Sequence, residues 1–181
     1  MGHLHKHAQV TKERYYWDAD GLLGKKATLG ALENIKRDYP KEFKILKPYR
    51  DLAYKELKKY QRKFPKKMSL IHADLHFGNM LFSKNEIFPI DFDDCGYGFH
   101  MYDLAVVLYS SYTLFKKVGK VKAFEYRQAL FDGYGTEQDL TIEDLNFLPY
   151  CLLTRDIAMI GWLYDRRDNP RLLKYLSLIH I

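Results

Sequence analysis

A mostly helical α+β fold is predicted for this chain of 181 residues, and three observations predict it. Apolar residues recur at helical spacing through the first third and again through the last half. Two or three short strand-like runs sit together between residues 69 and 96. The polar motifs fall on those runs. At roughly 150 residues per domain the length suits one domain, 1–181. An apolar share of 47% and a charged share of 29% are those of a folded globular chain rather than a disordered one.

Taken in order, a short helix is expected from Gly2 to about Gln9, then a turn punctuated by Gly21, Gly24 and Gly30. A helix over Leu29–Asp38 stops before Pro40. A basic amphipathic helix follows, with Pro48 expected as its first residue and its end before Pro65. Its stripe is Phe43, Leu46, Leu52, Ala53, Leu57, Tyr60 and Phe64. Leu70-Ile71-His72 reads as a strand. Met80–Phe82 and Ile87–Ile90 flank Ser83–Glu86 as a β-hairpin, with Pro89 pointing to an edge or a local distortion. Helices return over Tyr102–Leu114 and Val121–Tyr134. A third, capped by Thr141 with Asp144 three residues on, runs past Pro149 towards Arg167, and another follows Pro170.

The net charge of +6 raises nucleic acid as a partner. Much of it lies on the solvent side of the Lys41–Lys67 stretch with no binding motif beside it, so no nucleic-acid partner is expected. Arg155 and Asp156 interrupt the best apolar run, so no membrane span is expected. Cys95 and Cys151 suit a reducing compartment, and the N-terminal residues lack the apolar core of a secretory signal. Together these point to the cytoplasm.

The chemistry is concentrated in Ile71-His-Ala-Asp-Leu-His-Phe-Gly-Asn-Met-Leu-Phe82 and Pro89-Ile-Asp-Phe-Asp-Asp-Cys-Gly96. Asp74 opens a loop after a strand, Asn79 enters the hairpin, and Asp91 leaves it. An amide oxygen and a carboxylate brought together by a hairpin make a hard site suited to Mg²⁺. Asp74 is then free to orient a hydroxyl and accept its proton, the division of labour that phosphoryl transfer needs. A metallohydrolase built on His72, Asp74 and His76 would need further ligands, and beyond the N-terminal group only His100 and His180 remain as histidines.

His72-x-Asp74-x4-Asn79 followed by Asp91 has the spacing of the catalytic loop and second metal-binding Asp of the protein-kinase-like fold. The stretch His72–Ala105, with Tyr102-Asp-Leu-Ala105 behind it, resembles the C-terminal lobe of the aminoglycoside phosphotransferase family, which includes choline kinases, homoserine kinases and stress-response kinases. In flavour it is nearest the homoserine-kinase-type and stress-kinase members. The resemblance implies Asp74 as catalytic base, Asn79 and Asp91 as Mg²⁺ ligands, Asp103 as the brace of the catalytic loop through backbone amides, and His72 as its hydrogen-bonded support. It implies ATP as phosphoryl donor and a hydroxyl-bearing small molecule as acceptor. Alternatives are a Ser/Thr protein kinase of the stress-response type or a non-catalytic binding module. Ala73 stands where the family commonly has Gly. Gly2–Ala8 resembles a family segment that follows the interlobe hinge. That family needs an ATP-holding N-terminal lobe, and no such lobe is read here, so the chain by itself is expected to be inactive.

The remaining polar residues divide by environment. Asp93 is expected as a solvated turn residue, while Asp94 is equally suited to a supporting role or none. Cys95 is expected as a packed small residue. His3 and His7 would share a helix face and His5 would not. Arg155 and Asp156 are expected either as a surface ion pair or, for Asp156, as an acceptor contact.

Overall fold

The computed structural model describes residues 1–7, 15–84, 86–172 and 175, the side chains of 7, 112–118 and 120 excepted. Six helices and two small sheets are present among them. In chain order these are α1 (Gly2–His7), β1 (Tyr16–Trp17), α2 (Ala19–Leu23), a 3₁₀ turn (Leu32–Lys36), α3 (Pro40–Lys63) and β2 (Met68–Ile71). They continue with β3 (Met80–Ser83), β4 (Glu86–Pro89), β5 (Gly96–Phe99), α4 (His100–Val118), α5 (Lys120–Gly135) and α6 (Ile142–Asp165). The mostly helical α+β layout is as the sequence predicts. The predicted extension of α1 to Gln9 lies outside the described residues. Of the segment after Pro170, residues 170–172 form a turn and most of the rest lies outside them.

Helix α3 begins eight residues earlier than expected. Pro40 takes the first-turn position, and Pro48 lies inside the helix, where its missing N–H forfeits one backbone bond. Phe43 and Leu46 are buried on the stretch before Pro48 and anchor it to the core, so tertiary packing offsets the lost bond. Leu52, expected on the stripe, is exposed instead. The predicted Leu29–Asp38 helix is reduced to the 3₁₀ turn. Gly30, at φ 110°, abuts α6 so closely that a Cβ on Gly161 would meet its carbonyl oxygen at 2.2 Å.

Two strands escape the sequence pattern. β5 is the centre of a three-stranded sheet, parallel to β1 and antiparallel to β2, with Met68 opposite Phe99 and Ile71 opposite Gly96. Its Gly-Tyr-Gly-Phe composition lacks the β-branched signal of a strand, yet it needs the glycine. A Cβ on Gly98 would lie 2.6 Å from both the Ile71 and Trp17 side chains. β3 and β4 pair as the predicted antiparallel hairpin, from Met80↔Pro89 to Ser83↔Glu86. Helices α3, α4 and α6 enclose a core in which Phe99, Tyr60 and Phe147 meet ring to ring. A capping box of Thr141 and Asp144 starts α6. Among the described residues no helix is long and apolar enough to cross a membrane.

Candidate active site

The loop between β2 and β3 is tied down from behind by one buried carboxylate. Asp103, on the first turn of α4, accepts the backbone N–H of His72 at 2.9 Å and that of Ala73 at 2.7 Å. His5 of α1 donates its Nε2–H to the same carboxylate at 3.0 Å. Burial alone would raise the Asp103 carboxyl, but His5 and the two amides outweigh it and hold it below the usual carboxylate range. The bracing forces Ala73 to φ 67°, the left-handed region that glycine enters without cost. A glycine is the easier residue there, so Ala73 carries local strain.

His5 is thus a site-supporting residue that sequence reasoning did not assign. Its Nδ1 lies 2.9 Å from the Tyr134 hydroxyl, and its ring stacks on His100 at 4.3 Å. The helical spacing had separated His5 from His3, and the structure does so: His5 is buried and His3 exposed.

The front of the loop carries the other predicted residues. His72 donates Nε2–H to the carbonyl of Ile90 at 3.0 Å, linking the loop to the residue before Asp91. Asn79 is buried; its side-chain amide N–H donates to the backbone carbonyl of Asp74, and its backbone carbonyl accepts from the Ile90 N–H, both at 3.0 Å. One hydrogen-bonded web therefore joins His72, Asp74, Asn79, Asp103 and the end of the hairpin. Asp91 follows directly, exposed and at φ 62°, a conformation that Asp tolerates better than most residues.

The donor chemistry fits a divalent cation. With its NH₂ spent on Asp74, the Asn79 amide offers only its oxygen, and Asp91 offers an accessible carboxylate; both are hard ligands for Mg²⁺ or Ca²⁺. Among the described residues no group of three or more His, Cys, Asp or Glu could hold a metal. A cation at Asn79 and Asp91 would therefore draw its remaining oxygens from whatever it accompanies.

Asp74 itself is gripped by a residue 81 positions away. Arg155 of α6 donates Nη2–H to Asp74 Oδ1 at 2.6 Å, and its Nη1 lies 3.5 Å from the Tyr102 hydroxyl. The expected surface pair of Arg155 and Asp156 is corrected by this geometry. Arg155 is 7% exposed and points inward, while Asp156 lies on the wall of a separate apolar groove with Tyr49, Tyr109 and Leu153. Helical spacing carried the signal: Arg155 shares a face with the buried Cys151 and Ala158. The other Asp74 oxygen, Oδ2, is 3.5 Å from His76 Nε2. Asp74, His76, Asp94 and Arg155 line one cavity of about 190 Å³ with Leu29, Met159 and Trp162. Burial and the neighbouring Asp74 charge push the Asp94 carboxyl up; its backbone carbonyl accepts the Trp17 indole N–H at 2.7 Å. Asp93 is exposed, and Cys95 is half-buried with its thiol pushed up to about 11 by burial.

A loop braced by a buried carboxylate, a carboxylate held at a cavity and two hard oxygen donors beside a hairpin sit on a mostly helical α+β scaffold of the kinase-like type. Residues 2–145 match the phosphotransferase enzyme family (APH), and the chain belongs to that family. It is 32% identical over 114 residues to the amicoumacin kinase of Bacillus subtilis, covering 59% of this chain and 34% of that protein. It is 34% identical over 96 residues to an uncharacterized protein of Deinococcus radiodurans, covering 52% and 28%. Among solved structures, a microcompartment-associated aminopropanol kinase superposes with a TM-score of 0.76 at 23% identity, over 98% of this chain and 55% of that one. An amicoumacin kinase in complex with AMP-PNP, Ca²⁺ and Ami superposes with a TM-score of 0.72 at 25% identity, over 98% and 54%. The chain thus spans about a third of the curated relatives it matches and just over half of these structures.

Proposed function

We propose that residues 1–181 form the C-terminal lobe of an ATP-dependent phosphotransferase that moves the γ-phosphoryl group of ATP to a hydroxyl of a small molecule. The observation that carries this reading is the Asp74 carboxylate, with one oxygen held by Arg155, at the edge of a cavity and on the loop that leads to Asn79 and the hairpin ending at Asp91. In this reading Asp74 orients the acceptor hydroxyl and receives its proton as the new O–P bond forms and the bond from the γ-phosphorus to the bridging oxygen breaks, releasing ADP. Asn79 and Asp91 hold Mg²⁺, which when bound neutralises charge on the phosphate oxygens. His72 and Asp103 keep the loop in place. Two relatives whose names state small acceptors favour a small molecule over a protein substrate.

The hairpin supports a second lobe. Leu81, Phe82, Ile87 and Phe88 are 47 to 63% exposed, an apolar surface of the kind proteins normally cover. An ATP-holding lobe packed here would cover it, and the chain spans just over half of the two superposed kinase structures, which leaves room for such a lobe. The decisive experiment begins with the coding DNA upstream of Met1. The protein is then expressed at the full length its gene encodes and assayed for ATP-dependent phosphorylation of a panel of hydroxyl compounds, with a protein substrate alongside. Turnover that falls on the order of 10³-fold in Asp74→Asn is expected; turnover indifferent to that substitution would sink the assignment. Residues 1–181 alone are expected to show no transfer above background.

A further inference from the structure

Resting on the phosphotransferase reading, we infer that Arg155 is a positioning residue: it fixes the plane and charge of the Asp74 carboxylate so that Oδ2 alone is presented to the acceptor hydroxyl. The Arg155 side chain is 9% exposed and the Asp74 side chain 28%. A charge-assisted bond of 2.6 Å to Oδ1 takes that oxygen out of play as a proton acceptor. His76 borders the other oxygen. Its Nδ1 accepts the Gly78 N–H at 2.9 Å, which in the neutral ring leaves the hydrogen on Nε2, 3.5 Å from Asp74 Oδ2.

Stability alone does not account for the arginine. A buried ion pair is on balance worth little more than well-packed apolar side chains of the same size, and this one is imperfectly served. Arg155 Nε is buried with no hydrogen-bond partner, and Nη1 reaches Tyr102 only at 3.5 Å. The orientation of the guanidinium is set from outside the pair. Tyr102 is fully buried, the Trp17 ring stacks on it at 6.3 Å, and Trp17 also fixes the backbone of Asp94 across the same cavity. A chain of packed groups therefore runs from β1 through α4 and α6 to one oxygen of Asp74. Its effect is to remove the rotational freedom of a carboxylate that must meet a hydroxyl at a defined angle.

The test uses the full-length protein and an acceptor found in the screen above. Arg155→Met is expected to lower kcat on the order of 10²-fold while KM for ATP stays unchanged. Arg155→Lys, which keeps the charge but not the planar fork, is expected to recover part of the loss, and added guanidine to restore part of it to Arg155→Met. In an Asp74→Asn background, Arg155→Met should cost nothing further, because the arginine acts only through Asp74. A merely structural arginine would lower the rate equally in both backgrounds and would not respond to guanidine; either result overturns the inference. Should Arg155→Met fail to fold, Arg155→Lys carries the same comparison of backgrounds. An inactive parent, or one indifferent to Asp74→Asn, defeats the phosphotransferase reading itself. An active parent that needs Asp74 but tolerates Arg155→Met defeats only the role of Arg155.

Discussion

The β3–β4 hairpin lies in the chain between two strands of the three-stranded sheet, β2 and β5, yet the two sheets differ sharply in burial. In the three-stranded sheet, Trp17, Ile71, Gly98 and Phe99 are buried, and the loop that follows β2 is pinned by Asp103 from beneath. In the β3–β4 hairpin only Met80 is even half-buried among the described strand residues. The first sheet holds the Asp74 end of the candidate site to the core of this chain. The hairpin, which leads to Asp91, has a register, but its side chains are mostly left exposed by the described residues. Half of the candidate site is thus organised by the packed core, and half lies beside an exposed apolar hairpin.

The largest effect that would break this contrast is at Asp103. Asp103→Ala leaves two buried N–H groups and His5 without their acceptor and is expected to cost about 3 to 5 kcal/mol, measured as the loss of free energy in urea unfolding. A loss near zero would show that the loop is held by other means.

His100 gives an intermediate effect, through pH. Burial, with His5 stacked against it, holds the His100 ring down to about 3 against an ordinary 6.5; Ser69, Asp103, Lys67 and Asp144 complete its surroundings. The unfolded chain binds the proton first, so stability is full above about 6.5 and falls as pH drops towards 3. The slope reaches about 1.4 kcal/mol per pH unit for one proton. Between pH 6.5 and 4.5 the lowered carboxyls of Asp103 and Asp144 add little, since their acid sensitivity lies further down, and the raised carboxyls of Asp94 and Asp156 oppose the loss, so the comparison with a His100 variant isolates the histidine. Urea midpoints across that window should fall less steeply in His100→Gln; an unchanged slope would remove His100 as the cause.

The smallest effect belongs to the hairpin. Phe88→Ala, at a side chain 47% exposed, is expected to change the stability of this chain by no more than about 0.5 kcal/mol. A loss of several kcal/mol would mean that the hairpin is already packed and would erase the difference between the sheets.

Legibility followed the distance over which each feature is determined. The β3–β4 hairpin, the Thr141–Asp144 capping box and the sequence positions of His72, Asp74, Asn79 and Asp91 are set by neighbours a few residues apart, and each was readable. Pro48 misled because proline's local preference for a first turn was overridden by the burial of Phe43 and Leu46. β5 escapes the pattern because its glycines answer to tertiary neighbours rather than to strand propensity, Gly96 to Tyr15 and Gly98 to Ile71 and Trp17. Adjacency in sequence suggests a surface pair for Arg155 and Asp156, or an acceptor contact for Asp156, whereas helical geometry turns Arg155 towards Asp74 and sets Asp156 on an apolar groove.

By itself, then, the sequence determined the fold class, the hairpin and the order of the carboxylates along it, since each depends on periodicity, turn chemistry or short spacing. Only the tertiary structure decided that His5 and Asp103 meet beneath the loop, that Ala73 is bent into the left-handed region, and that Arg155 holds one oxygen of Asp74. Those contacts join residues from 30 to about 100 positions apart. They exist because helices α1, α4 and α6 must bury their apolar faces against the same sheet and one another, and no short-range pattern encodes where that packing brings two distant charges together.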